Sequence, residues 1–263
     1  MHSLSCHILE HTRLSETIYR LALQSLEISE GCRAGQFVHV RVTDGREVLW
    51  RRPFSIHRVD RNRGSFEILY RVVGEGTIRL SRKQPGERLD LLGPLGNGFD
   101  PDGRFGLALL VAGGVGCADL FFLSDALLER GKRIVLLWGV RSRSELFDLD
   151  LLRTRGIDVR TCTEDGSDGR RGLAVDLLKD FLSEGGFSGE EAVGFVCGPK
   201  GMVRAVQSMA ERTEFPWQVS LEEKMACGVG VCQGCAVQRT TGAYAMVCSD
   251  GPVFDLRTVV LDG

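Results

Sequence analysis

The chain has 263 residues, with 33 basic against 35 acidic side chains and a formal net charge of -2. That near-balance argues against nucleic acid or an anionic membrane as the main partner, because both select a basic surface, and a 43% hydrophobic content allows a sizeable core. No apolar run reaches the roughly 20 residues of a spanning helix and the first residues lack the apolar stretch of a secretory signal, so a soluble, cytoplasmic protein of two or three domains is expected.

Residues 5–100 read as short strands. Polar and apolar side chains alternate in QFVHVRVTD (36–44) and SFEILYRVV (65–73), punctuated by glycines, which suggests a small antiparallel barrel. Within it, RRPFSI (51–56) sets a guanidinium and a hydroxyl three residues apart on a strand-like segment, able to serve an anion and a hydrogen-bond acceptor side by side. GEGT (74–77) is a glycine turn ending in a hydroxyl. The arginine-rich stretch from 46 to 88 is partly offset by Glu47, Asp60, Glu67, Glu75 and Glu87 and reads as a solvated face. The five histidines, His2, His7, His11, His39 and His57, all precede residue 60 without a nucleophile beside them; His39 and His57 are expected to be structural or solvent-facing.

Near residue 100 the rhythm changes. Apolar strand candidates at 107–114, 133–140, 157–165 and 192–199 alternate with helical stretches near 118–130, 144–155, 173–184 and 200–212, the pattern of a parallel sheet covered on both faces. AGGVG (112–116) follows the first of these strands and opens a helix, where backbone amides can face a pyrophosphate. VCGPKGM (196–202) makes a second such turn, and in an open α/β sheet both turns line one crevice. From about 216 the chain becomes a Gly- and Cys-rich loop with little periodicity. The expected division is 1–102, a β-barrel domain; 103–215, an α/β domain; and 216–263, a small cysteine-rich domain.

Nine cysteines without an export signal point to metal or redox chemistry rather than to disulfides. Cys6, Cys32, Cys117, Cys162 and Cys197 sit among apolar neighbours and read as small buried hydrophobes. Cys227, Cys232, Cys235 and Cys248 stand at C-x4-C-x2-C-x12-C, the plant-type spacing for a [2Fe-2S] cluster. Zinc is the alternative for four thiolates, but zinc ribbons usually pair two C-x2-C knuckles and only Cys232 and Cys235 form one.

Taken in order, RRPFSI, LYRVVGEGT, GPLGNGF, AGGVG, CGPKGM, VSLEEKMACGVGVCQGC and VCSDGPVF make the chain resemble the electron-transfer subunit of the two-subunit, NAD-dependent dihydroorotate dehydrogenase, in the ferredoxin reductase-like superfamily. The resemblance runs from about 5 to 260. It implies an FAD-binding antiparallel barrel, a parallel-sheet NAD-binding domain and a small C-terminal [2Fe-2S] domain. It places Arg52 on the FAD pyrophosphate and Ser55 near the reactive flavin edge, with Pro53 and Phe54 between them. Leu69, Tyr70 and Arg71 match a second FAD-contacting strand, and Gly76 and Thr77 the loop closing on the diphosphate. Gly113, Gly114 and Gly116 fall on the nicotinamide nucleotide's pyrophosphate turn, Cys197, Gly198 and Pro199 where the nicotinamide approaches the flavin, and the four cysteines above on the cluster.

Two departures stand out. Where such proteins commonly have Ala-Pro after the dinucleotide glycines, this chain has Ala118 and Asp119, and a carboxylate beside a phosphate is expected to turn outward. Arg141 and Arg143 lie where a 2'-phosphate could be held, so NADP stays open beside NAD. The resemblance implies an oxidoreductase subunit passing electrons from the FMN of a catalytic partner, in a heterotetramer of two of each subunit, through the cluster and FAD to NAD. A small subunit of an NADH-dependent ferredoxin:NADP oxidoreductase or of a sulfhydrogenase is the alternative. No dihydroorotate site, catalytic nucleophile, nucleic-acid site or membrane segment is expected in the chain itself.

Overall fold

The computed structural model describes residues 2–43, 45, 48–184 and 192–261; Arg46 and Glu47 of the arginine-rich stretch and the side chain of His2 lie outside the described residues. Alternating patterns build the first half. Strands β1 (His2–Arg13), β2 (Ile18–Gln24), β3 (Phe37–Arg41), β4 (Arg52–Asp60), β5 (Ser65–Arg71) and β6 (Arg88–Leu95), with helices α1 (Leu26–Gly31) and α2 (Glu75–Leu80), form this part. The strands close an antiparallel barrel in the order β1-β2-β5-β4-β3-β6. β6 buries every second residue, and Leu21, Leu23, Ile56, Phe66, Ile68 and Leu91 fill the interior. Closure leaves no free strand edge, which is how a small sheet avoids pairing with other chains.

The second half alternates strands β7 (Leu107–Gly113), β8 (Arg133–Val140), β9 (Asp158–Thr163), β10 (Arg170–Arg171) and β11 (Ala192–Cys197) with helices α3 (Cys117–Glu129), α4 (Leu149–Thr154), α5 (Ala174–Glu184) and α6 (Lys200–Ala210). β7 is buried at every position, as a central parallel strand covered on both faces requires. The helix expected over 144–155 is shorter. A 3-10 turn at Arg143–Glu145 precedes α4, and Asp148, held left-handed at φ 54°, separates the two.

The segment read as an aperiodic loop also contributes to the sheet. β12 (Trp217–Ser220) runs parallel beside β11, and β15 (Val253–Asp255) pairs antiparallel with β12, giving the order β10-β9-β8-β7-β11-β12-β15. Between them, β13 (Ala236–Gln238) and β14 (Tyr244–Met246) form a small hairpin. Strands this short carry too few residues for a period to show. Among the described residues no helix is long and apolar enough to cross a membrane.

Barrel and sheet share a core. α3 lies against β4, where the buried His57 brings Nδ1 to 3.2 Å from the Ala118 carbonyl oxygen. Beside this contact, Asp148 meets Arg20 at 2.8 Å and Arg58 at 3.6 Å, and the Arg58 guanidinium lies 5.2 Å from the centre of the Phe121 ring. This seam fixes the two halves so that the carboxyl ends of β7 and β11 face β4 and β5.

Candidate functional site

β7 and β11 are parallel neighbours with Cys197 opposite Ala112, so both glycine turns leave the sheet at its carboxyl edge. They enclose a cavity of about 560 Å³ lined by Gly113, Gly114, Gly116, Gly198 and Pro199, with Arg141, Glu145 and Glu164 further out. Close approach demands glycine here. A Cβ on Gly116 would stand 2.7 Å from the Cys197 carbonyl oxygen, and one on Gly198, at φ +157°, 2.9 Å from the backbone nitrogen of Gly113. Arg71 reaches across from β5 to bind Glu145 at 2.7 and 2.9 Å, which holds the Glu145 carboxyl below its usual range. Arg143 is turned to Asp168 at 3.0 Å, whereas Arg141 stays on the cavity wall.

A second cavity, about 550 Å³, is lined by Pro53, Phe54 and Ser55 of β4, by Leu69, Tyr70 and Arg71 of β5, and by Ser220, Glu222 and Met225 from the far side. Arg71, Val115 and Glu222 line both cavities, so the two adjoin. Its aromatic wall is braced from behind: Tyr70 stacks on Tyr19 with centroids 5.7 Å apart, meets Phe54 at 5.5 Å, and its hydroxyl is 2.8 Å from His11 Nε2. Arg52, Gly76 and Thr77 are not part of this wall but lie together. A Cβ on Gly76 would be 3.1 Å from Arg52 Nε, and Thr77 Oγ1 accepts from the Val73 and Gly74 amides at 2.9 and 3.1 Å.

Asp119 does not turn outward. The first turn of α3 faces the ends of β11 and β12, so the carboxyl is 2% exposed and accepts hydrogen bonds from Ser220 Oγ and, at 3.6 Å, from Cys197 Sγ. Burial pushes its pKa up, against the lowering effect of the hydroxyls of Ser220 and Ser55 and the Cys197 thiol. The Cys197 thiol is in turn held well above its usual range by burial and by Asp119. Of the three residues of that turn, Gly198 and Pro199 line the first cavity while Cys197 points its side chain away to Asp119. Glu222 is exposed where it lines the two cavities, and desolvation by the surrounding protein, then Asp119, raises its pKa.

The remaining lone cysteines, Cys6, Cys32, Cys117 and Cys162, are buried free thiols, with Cys6, Cys32 and Cys162 pushed up to about 11 chiefly by burial. His39 and His57 are fully buried, not solvent-facing, and burial lowers both. The four clustered cysteines fall into two pairs. Cys235 Sγ is 3.3 Å from Cys248 Sγ, and Cys227 interacts with Cys232. Amides point at the sulfurs: Val229 and Cys232 donate to Cys227 Sγ at 3.4 Å, and Gly230 donates to Cys248 Sγ at 3.0 Å. Burial alone would raise the Cys227 thiol, but the Val229 and Cys232 donors bring it down to about 6, whereas burial and the adjacent Cys235 push Cys248 up to about 12 despite the Gly230 amide. Left-handed backbone at Gly228, Gly230 and Gln233 wraps the loop so that its amides face inward. Two thiolate pairs with amides on the sulfurs fit a centre of two irons, each with two protein ligands.

Ser220 and Glu222 line the candidate site and are residues that the motifs did not single out. Both stand in VSLEEKM, and their place between the last strand and the first cluster cysteine is the signal that could have found them.

Comparison with known proteins supports the same three parts. The oxidoreductase FAD-binding domain matches residues 5–99, the oxidoreductase NAD-binding domain residues 110–208, and the iron-sulfur cluster binding domain of dihydroorotate dehydrogenase B residues 222–260. The electron transfer subunit of dihydroorotate dehydrogenase B (NAD(+)) from Bacillus caldolyticus is 40% identical over 255 residues, covering 94% of this chain and 95% of its own. That from Bacillus cereus strain G9842 is 35% identical over 260 residues, covering 97% of each. Among solved structures, a chain of the NADH-dependent reduced ferredoxin-NADP oxidoreductase superposes with a TM-score of 0.87 at 30% identity, covering 97% of this chain and 90% of that one.

Proposed function

This chain belongs to the family of dihydroorotate dehydrogenase B electron transfer subunits, and from that membership we propose that it carries electrons from a catalytic partner subunit, which oxidises dihydroorotate, to NAD. When bound, a [2Fe-2S] centre supplies single electrons, a nicotinamide takes a hydride, and a flavin converts between the two. The chain's own share is placement. Cys227, Cys232, Cys235 and Cys248 would hold the cluster. Pro53, Phe54, Ser55, Leu69 and Tyr70 would seat the flavin ring of FAD, with Arg52, Gly76 and Thr77 toward its diphosphate. Gly113, Gly114, Gly116, Gly198 and Pro199 would cradle the nicotinamide nucleotide, and Arg71 stands where the two cavities meet.

One observation carries this reading: two cavities of cofactor size adjoin at Arg71, Val115 and Glu222, and the chain that forms their shared wall continues directly into the cysteine loop. NAD rather than NADP is supported by the ion pair that engages Arg143 and by the Glu164 carboxylate on the cavity wall, which would repel a 2'-phosphate. The exposed Cys232 beside Val231, 79% exposed, marks where the cluster would meet the partner, which we take to be an FMN-containing subunit in a complex of two of each.

Anaerobic purification with the partner tests this. The expected material is yellow-brown, releases FAD on denaturation, contains iron and sulfide in equal amounts, and reduces NAD when given dihydroorotate. Protein without iron and flavin overturns the proposal, and ferredoxin-dependent activity without dihydroorotate activity assigns the chain to a ferredoxin-NADP oxidoreductase instead.

A further inference from the structure

Electrons that leave an iron–sulfur centre one at a time bring no proton, whereas a hydride carries a proton with its electron pair. Converting one into the other obeys NAD+ + 2e− + H+ → NADH, so each turnover consumes one proton at the flavin edge. We propose that Asp119 stores this proton and hands it through the Ser55 hydroxyl to that edge, acting as a positioning residue that does not itself touch the cofactor. The inference rests on the reading above that the cavity beside β4 holds FAD.

The geometry points to Asp119 in three ways. Its carboxyl lies behind Ser55 and Ser220, both of which line that cavity. One oxygen, Oδ2, accepts from Ser220 and Cys197, while Oδ1 is buried without a hydrogen-bond partner among the described residues, leaving an atom free to carry a proton. The Ser55 hydroxyl is a hydrogen-bonding neighbour that lowers the carboxyl's pKa, and Oδ1 itself has no hydrogen-bond partner among the described residues, so the hydroxyl stands between the carboxyl and the cavity it lines.

The surrounding charges agree. Asp119 faces Ser55 from β4, Cys197 from β11, Ser220 from β12, Glu222 from the segment after β12 and Cys117 from its own helix. Each of these is neutral or acidic. The nearby cations are engaged elsewhere, Arg71 with Glu145 and Lys200 with Glu223 at 3.7 Å. Burial without a cation disfavours the charged carboxylate and favours the proton-bearing form that the relay needs. As the flavin edge takes a proton from Ser55, Ser55 takes one from Asp119 Oδ1, and the Asp119 carboxylate is recharged from water by way of Glu222, whose carboxyl reaches both cavities.

The test uses the full chain carrying FAD and cluster, with flavin absorbance followed after rapid mixing with a reduced viologen dye, a one-electron donor, or with NADH, which brings its own hydrogen. Asp119→Asn keeps the side chain's shape and removes the acid. We expect it to slow the dye-driven reaction about 100-fold and the NADH-driven reaction less than about threefold, with Asp119→Glu recovering most of the dye-driven rate. Equal slowing of both routes, or slowing of neither, overturns the inference. A time-resolved infrared difference spectrum of the wild-type protein during dye-driven flavin reduction should show a protonated-carboxyl band that is lost and then regained, and that Asp119→Asn lacks. Should that variant fail to fold or to bind flavin, a wild-type spectrum without such a band overturns the inference by itself. A wild-type chain that binds no flavin, or whose flavin NADH does not bleach, refutes instead the underlying cofactor reading.

Discussion

Cys232 is the exposed member of the cysteine cradle, and Cys235 and Cys248 are buried. Serine at Cys232 removes a soft ligand at the corner nearest solvent. We expect Cys232→Ser to lose the cluster's electron-paramagnetic signal and dihydroorotate-dependent NAD reduction while retaining NADH-to-dye transfer through FAD; full dihydroorotate activity in that variant would refute the electron path. His57 behaves differently. Burial, reinforced by Arg58, pushes its pKa down to about 3. As pH falls below about 6.5 the unfolded chain takes up a proton that the folded imidazole refuses, so stability drops by about 1.4 kcal/mol per pH unit until the folded value is reached. Above about 6.5 neither state holds the proton and the effect vanishes. Melting temperatures of the wild type and His57→Gln at about pH 7.5 and about pH 5 should therefore differ more for the wild type, and parallel loss in both would show that His57 is not the group responsible. Neither behaviour is legible from sequence. The cysteine spacing announces a cluster but not which thiol is exposed, and His57 beside a flavin-type strand looks like a surface residue until α3 covers it. Asp119 taught the same lesson more sharply: its position in a helix's first turn was readable, but the partners that hold it inside, Cys197 and Ser220, come from strands about 80 and 100 positions further along the chain.

At the level of elements, what the sequence made plain were the glycine turns and the alternating strands, because each depends on local chemistry. The turns after β7 and β11 face one another so closely that a methyl group on Gly116 would press on the Cys197–Gly198 backbone, which has no side chain to move aside. Gly116→Ala should weaken NAD binding about tenfold, ~1.4 kcal/mol, while FAD and iron content stay at wild-type levels. A titration showing unchanged NAD affinity would remove this turn from the binding site. β12 and β15 were not legible, since their place in the sheet is set by neighbours β11 and β12 and not by any repeat within their few residues. α4 is shorter than its composition suggests for a related reason: the residues from 144 to 155 have helical composition, but Asp148 leaves the helical region and meets Arg20 and Arg58 of the barrel.

Across the whole molecule, those contacts hold the barrel to the sheet. Arg58 is largely buried, and its Nε and Nη2 have no hydrogen-bond partner among the described residues, so Asp148, its ion-pair partner, compensates the guanidinium removed from water together with the more distant charges of Glu67 and Asp125. Asp148→Asn tolerates the left-handed backbone yet removes the charge, and should cost about 3 kcal/mol in denaturant unfolding with the flavin bound. A loss below about 0.5 kcal/mol would mean that solvent already screens the pair.

The strand that ends at Ser220 belongs to the seven-stranded sheet, and the run from Ser220 through Glu222 to Cys227 passes from a cavity wall straight to the first thiolate without a linker. Tunnelling rates fall steeply with separation, so a tether able to sway would let conductance flicker. Anchoring the inorganic centre to the same β-scaffold that walls the organic ones makes their spacing a property acquired at folding, one that does not wait on any hinge to close.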